Sequence, residues 1–265
     1  MREIRFYLRN LWGFENPIGF IVLTISTIMD LRTFLIGFTI LLYGCKISDV
    51  SNTNTTTNDE TTLTFQPTFG NEKLILNQKY PINQKDSFEI NVLRFYISNI
   101  EFYNNNQLVY KELNSYHLID LAEKETVQIG FKNQQKKGFN TIKFNLGIDS
   151  TTNVSGAFGG DLDPTKGMYW TWQSGYINLK LEGKSELCRT RNNQFQYHLG
   201  GYAAPFYALQ MVEIAVKNKD EIVVNIDIQH FLNAVDLVNE HSIMSPSKAA
   251  VNLAKVAAES FESTY

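Results

Sequence analysis

Alternating apolar and polar residues recur through the second half of the chain. Ile177, Leu179 and Leu181 alternate with Asn178, Lys180 and Glu182. Val212, Ile214 and Val216 alternate with Glu213, Ala215 and Lys217, and Ile222, Val224, Ile226 and Ile228 form one face of another segment. A period of two over this length predicts strands with one buried face. Further strands are expected over residues 63–69, 88–103, 116–121 and 141–148, and Asn104-Asn105-Asn106 suits a hairpin turn between Phe102 and Leu108. Strands at this spacing predict an all-β fold, an antiparallel β-sandwich.

The C-terminus follows another rhythm. Ser245 and Pro246 make a helix N-cap and first-turn pair. Ala249, Ala250, Leu253, Val256, Ala257 and Phe261 then recur at helical spacing. One amphipathic C-terminal α-helix over about 246–261 is expected to lie on the sandwich.

The N-terminal segment carries an address instead of a fold. Residues 34–44 are an apolar run preceded by Arg32 and ending in Leu42-Tyr43-Gly44, directly before Cys45. A basic flank, a short apolar core and a small residue before cleavage make a secretory signal, and the cysteine makes it a lipoprotein signal. The run falls short of the roughly 18 residues of a membrane span. From Met29 the signal has ordinary length, so the true start is expected there, and residues 1–44 are read as leader. Residues 46–62, rich in Ser, Thr, Asn and Asp, read as a flexible tether behind a lipidated Cys45. More than one acyl chain on Cys45 gives stable anchoring. The expected location is the bacterial cell envelope, on a periplasmic or outer-membrane lipid anchor, with residues 63–265 as one domain.

Charge and motifs exclude several functions. The net charge is −3, and no basic run repays phosphate, so nucleic acid is not an expected partner. The chain has no G-x-S-x-G, C-x-x-C or H-E-x-x-H, so neither a hydrolase nor a compact zinc site is expected. With Cys45 acylated, Cys188 has no disulfide partner. Its neighbours Arg189 and Arg191 could activate the thiol, but a buried bystander is the ordinary reading.

Four histidines and a few soft donors are left to carry chemistry. His198 stands where a strand enters the glycine pair Gly200-Gly201, either as a ligand or as a hydrogen-bonded strand-end residue. His241 and Met244 precede the helix cap and can offer a nitrogen and a thioether to one point. Equally, Met244 can pack under the helix as a staple. His230 reads as a core or supporting histidine and His117 as solvent-facing. On a strand, Trp170 and Trp172 share a face with Met168, as a core stripe or as the wall of a site. Asp161 and Asp163 in G-D-L-D-P suit a calcium ion or, more ordinarily, the backbone N–H groups of a turn.

The order of these segments matters more than any one of them. F-Y-I-S-N-I (95–100), H-L-I-D-L (117–121), F-N-L-G-I-D (144–149), G-D-L-D-P-T-K-G-M-Y-W-T-W-Q-S-G-Y (160–176), Y-H-L-G-G (197–201) and H-S-I-M (241–244) together resemble the MbnP-like family of secreted copper-binding proteins. The resemblance spans about 63–261. It implies copper near the Trp170/Trp172 segment, with His198 and His241 as leading donors and Met244 as a weaker one. It also implies a tryptophan oxidised to kynurenine by a diheme peroxidase-like partner, and leaves open which of the two it is. The expected function is copper sequestration or transfer outside the cytoplasm, without catalysis. Two rivals stand beside it. One is a surface lipoprotein binding a protein or glycan through an aromatic platform. The other is a redox substrate of a haem enzyme.

Overall fold

The computed structural model describes residues 60–132 and 138–263. The leader, Cys45 and most of the expected tether lie outside the described residues.

Ten principal strands carry the fold. They are β1 (Glu60–Phe69), β2 (Ser87–Asn104), β3 (Gln107–Lys111), β4 (Tyr116–Asp120), β5 (Gln128–Lys132), β6 (Thr141–Leu146), β7 (Gly175–Ser185), β8 (Gln194–Gly200), β9 (Gln210–Ala215) and β10 (Glu221–Asp227). They build two sheets. In the larger, the order runs β9, β6, β2, β7, β8 and the short strand Ser242–Ile243. In the smaller, β1 lies between β10 and β5. This is the all-β, sandwich-like architecture that the alternation predicts.

Strand β2 organises the larger sheet. Its residues pair in turn with β7, β4, β6 and β3. The hairpin into β3 turns at Asn105 and Asn106, with φ values of 46° and 67°. Two consecutive left-handed residues define the type I′ turn that matches strand twist, and asparagine tolerates that region best after glycine.

The main core fills the space between the sheets. Phe65 of β1 meets Phe95, Phe144 and Phe261 edge to face, at centroid distances of 6.1, 5.6 and 6.5 Å. The helix Lys248–Glu259 packs on β8 and β9 and buries Ala250, Leu253, Ala254 and Ala257. Small residues at three of those four positions let it approach the sheet closely.

Three expectations change. The sandwich is not purely antiparallel: β1 runs parallel to β10, from Thr62 opposite Glu221 to Thr68 opposite Asp227. A parallel partner requires a long crossover, so it leaves no local signature. The helix begins after Ser247, whose hydroxyl accepts the Ala250 N–H at 3.1 Å, and not at Ser245-Pro246. Ile228, expected at the end of a strand, instead opens the helix Ile228–Asn233, because the Asp227 carboxylate caps it through the Gln229 N–H.

Truncating Phe65 removes the ring common to three edge-to-face pairs. Phe65→Ala should cost about 3–5 kcal/mol in chemical denaturation. Leu113→Ala, at an 82% exposed position, should stay within about 0.5 kcal/mol.

Candidate metal centre

The larger sheet is buried on its outer face too. There Tyr96, Leu118, Ile148, Leu162, Met168, Tyr176 and Ile177 form a second, smaller core. The cover is the chain from Gly147 to Thr171, held down mainly by polar contacts. Asn178, expected on a solvent face, is buried; its Oδ1 accepts the Ile148 N–H at 3.1 Å. A bulge between Ile177 and Leu179 shifts the alternation at this point. Gly147, at φ 113°, makes room, since a Cβ there would lie 2.3 Å from Asn178 Cγ.

Asp149 caps the short helix Ser150–Val154 by accepting the Thr152 N–H at 2.9 Å, and its other oxygen accepts the Tyr116 hydroxyl at 3.0 Å. From that helix Asn153 Oδ1 accepts the Tyr176 N–H at 2.8 Å. Asp161 accepts the Leu118 N–H at 3.1 Å and the Lys166 ammonium at 2.7 Å. Asp163 accepts both the N–H and the hydroxyl of Thr165. Asp163 therefore does the work of a turn, whereas Asp161 ties the segment to β4. From the sheet, Arg94 and Lys180 reach the carbonyls of Lys166 and Gly167 at 3.1 and 2.5 Å. These contacts deliver Met168 to the small core and Trp170 to the neighbouring strand.

Trp170 lies against β8. A Cβ at Gly200 would sit 2.7 Å from Trp170 Cζ3, so glycine is what lets the indole rest on the strand. The Trp170 Nε1 is buried without a hydrogen-bond partner in the protein. Trp172 is separated from it: the strand covers only Tyr169–Thr171, and Trp172, in the following turn, is 71% exposed. The expected shared face of Met168, Trp170 and Trp172 therefore does not form.

His198 belongs to the same outer face, two residues before Gly200 on β8. Its Nε2 lies 2.6 Å from Glu182 Oε1, and its Nδ1 is buried with no partner in the protein. Burial pushes the imidazole pKa below its usual value against the opposing pull of Glu182, which favours the neutral ring. His241 and Met244 arrive at the edge of β8. The Gln196 N–H donates to His241 O at 2.9 Å, and Ser242 and Ile243 pair in parallel with Gln196 and Tyr197. Ile243 is in the main core. Alternation turns Ser242 toward the His198 face, while Met244 follows the end of this strand and His241 precedes it, its Nδ1 again buried and unpartnered. Met244 is 44% exposed and so not a staple beneath the helix.

A family model described as MbnP matches residues 58–245. The chain belongs to the MbnP family. The solved structure of MbnP from Methylosinus trichosporium superimposes with a TM-score of 0.54 at 12% identity, over 72% of this chain and 86% of that one. At that identity the likeness speaks for the fold. No curated protein matches the sequence. The family match ends before the C-terminal helix, which this chain packs across β8 and β9.

In this MbnP family member the other candidates separate from the site. His230 is exposed on the helix Ile228–Asn233. His117, expected to face solvent, is instead partly buried and bonded through Nε2 to Glu112 at 2.8 Å. Among the described residues no group of three or more His, Cys, Asp or Glu is placed to hold a metal ion. Glu182 is the residue that sequence reasoning passed over. Its position on the polar face of an alternating strand suggested solvent, and only the pairing of β7 with β8 brings it to His198.

Two outcomes follow from this geometry. The Asp149 carboxyl is held below its usual range: burial works against this, but the Thr152 and Tyr116 donors outweigh it. Its contribution is therefore present above the unfolded carboxylate pKa and lost as pH falls through the folded one. Asp149→Ala should cost about 1 kcal/mol at neutral pH. The gap to wild type should close as the medium is acidified below about pH 4. Cys188 is buried, and burial pushes its thiol up to about 11. Alkylation mapped by peptide mass at neutral pH should be slow at Cys188 in the native chain and fast in denaturant.

Proposed function

We propose that this chain is an exported copper-binding protein, lipid-anchored through Cys45 in a bacterial envelope, that sequesters copper or passes it on outside the cytoplasm. The observation that carries the reading is three buried nitrogens without protein partners around one strand: His198 Nδ1, His241 Nδ1 and Trp170 Nε1. An unsatisfied buried polar atom costs about 1–3 kcal/mol, so three on or against β8 ask for a reason.

The donors suit copper better than the alternatives. Zinc favours four Cys, His or carboxylate ligands, and calcium six or more oxygens. Among the described residues no group of three or more His, Cys, Asp or Glu gathers for the first of these. Copper accepts imidazole with thioether or a few mixed donors. His198, with His241 and Met244 flanking the short strand paired to β8, would hold it. Trp170, laid on β8 at Gly200, is the indole assigned to the site in preference to the exposed Trp172. Oxidation to kynurenine by a diheme peroxidase-like enzyme would add a carbonyl and an amine as donors. The role is binding, and no reaction of the protein's own is part of it.

Copper should bind the exported protein in a one-to-one ratio, measured by metal analysis after dialysis under reducing and oxidising conditions. His198→Ala should abolish stoichiometric loading. Intact and peptide mass should place any indole oxidation at Trp170. Failure to bind copper in either redox state, with both indoles unaltered, would overturn the reading. That result would favour recognition of a protein or glycan through the exposed Trp172 and Tyr207. Oxidation of an indole without metal would favour a redox substrate.

A further inference from the structure

Glu182 and His198 make a contact that copper binding alone does not require. They sit on the antiparallel strands β7 and β8, where Lys180 is opposite His198 and Gln196 opposite Glu182. Ring and carboxylate therefore meet on the diagonal, within reach for side chains of this length. Lys180, the residue directly across from His198, directs its ammonium to Gly167 O at 2.5 Å. The carboxylate is left to the imidazole, with Nε2 and Oε1 2.6 Å apart.

The direction of this hydrogen bond decides which nitrogen is free. A carboxylate accepts and does not donate, so the shared proton belongs to Nε2. In a neutral ring Nδ1 is then a bare lone pair, and here it is buried with nothing from the protein to donate to it. The His198 side chain is 7% exposed and Glu182 28%, so the enclosed ring has little freedom to exchange the two nitrogens.

We propose that Glu182 is the positioning residue of the metal centre: by accepting the Nε2 proton it fixes the tautomer and plane of the His198 ring and makes Nδ1 the copper-ligating nitrogen. The inference rests on the copper reading above. A carboxylate behind a ligating imidazole also raises the basicity of the ring, which strengthens its bond to the metal. If the pair were merely a cross-strand tie, there would be no reason for the inner nitrogen to be left without a partner.

The test reads the tautomer and the affinity separately. In the metal-free, nitrogen-15-labelled chain, imidazole shifts should show the His198 proton on Nε2, and added Cu(I) should move the Nδ1 resonance. Glu182→Ala should mix the tautomers and weaken Cu(I) binding about 10–100-fold in competition with a chromophoric chelator. Glu182→Gln still accepts through its amide oxygen, so it should keep the tautomer and most of the affinity. A wild-type proton on Nδ1 overturns the proposal, as does an affinity loss in Glu182→Gln equal to that in Glu182→Ala, which would make the carboxylate itself a ligand. Wild-type protein that binds no copper fails the copper reading, whereas copper bound with the proton on Nδ1 fails this inference alone.

Discussion

Burial of the central sheet on both faces is the constraint from which the rest of the structure follows. Phe95 and Tyr96 are adjacent on β2 and both fully buried. Neighbouring strand residues point to opposite faces, so apolar cover is needed on each side at this point. The smaller sheet and the C-terminal helix cover Phe95 in the main core, while the 147–171 segment covers Tyr96 in the small one. That segment has little regular structure, and polar bonds to the sheet hold much of it. Tyr96 itself donates to Asp161 O at 2.9 Å, and Tyr176 to Leu162 O at 2.9 Å. The aromatic rings contribute burial and their hydroxyls satisfy the loop backbone, which is what a tyrosine can do and a phenylalanine cannot.

The same cover positions the candidate site. Gly167, at φ 71°, ends a short 3₁₀ turn whose carbonyls are gripped by Arg94 and Lys180. Beyond it the chain enters Tyr169–Thr171, which pairs with the start of β7. Trp170 is thereby laid on Gly200 with no side chain between indole and strand. Outward-facing positions beyond the edge of this cover are polar: Lys180, Glu182, Gln196 and His198. The imidazole thus sits at a boundary, enclosed enough to lose its water and close enough to a carboxylate to be oriented.

How much of this could be read from the sequence depended on the range of the interaction. Alternation identified β9, β10 and the later part of β7 because each buries one face there. It misplaced Asn178 because a bulge changes parity within β7, and a bulge is invisible without the partner strand. It joined Trp170 to Trp172 because period two assumes a continuing strand, and this one stops at Thr171. The parallel pairing of β1 with β10 joins the two ends of the domain, and neither segment encodes its partner. His198 was legible as a strand residue entering a glycine pair. Glu182 was not, since a glutamate alternating with Leu181 reads as solvated until its diagonal neighbour is known.

The unpartnered nitrogens connect stability to function. A domain of this kind is held by a net 5–15 kcal/mol, and each unsatisfied buried group removes about 1–3 kcal/mol of it. Other side-chain atoms in the domain also lack a hydrogen-bond partner: the hydroxyls of Thr61 and Thr64 on β1 and the Nδ2 of Asn178 on β7. The imidazole and indole nitrogens differ because they are gathered about β8 and its flanking segments. Rearranging a side chain to satisfy one of them would cost little at the edge of the sheet, as for His241. A bare Nδ1 at His198, on the strand that carries Trp170 at Gly200, is understandable if the folded chain is completed by something it binds, with the missing hydrogen-bond energy supplied by coordination. On that view the site is a deliberate local instability, tolerated because two cores on opposite faces of one sheet hold the surrounding strands in place.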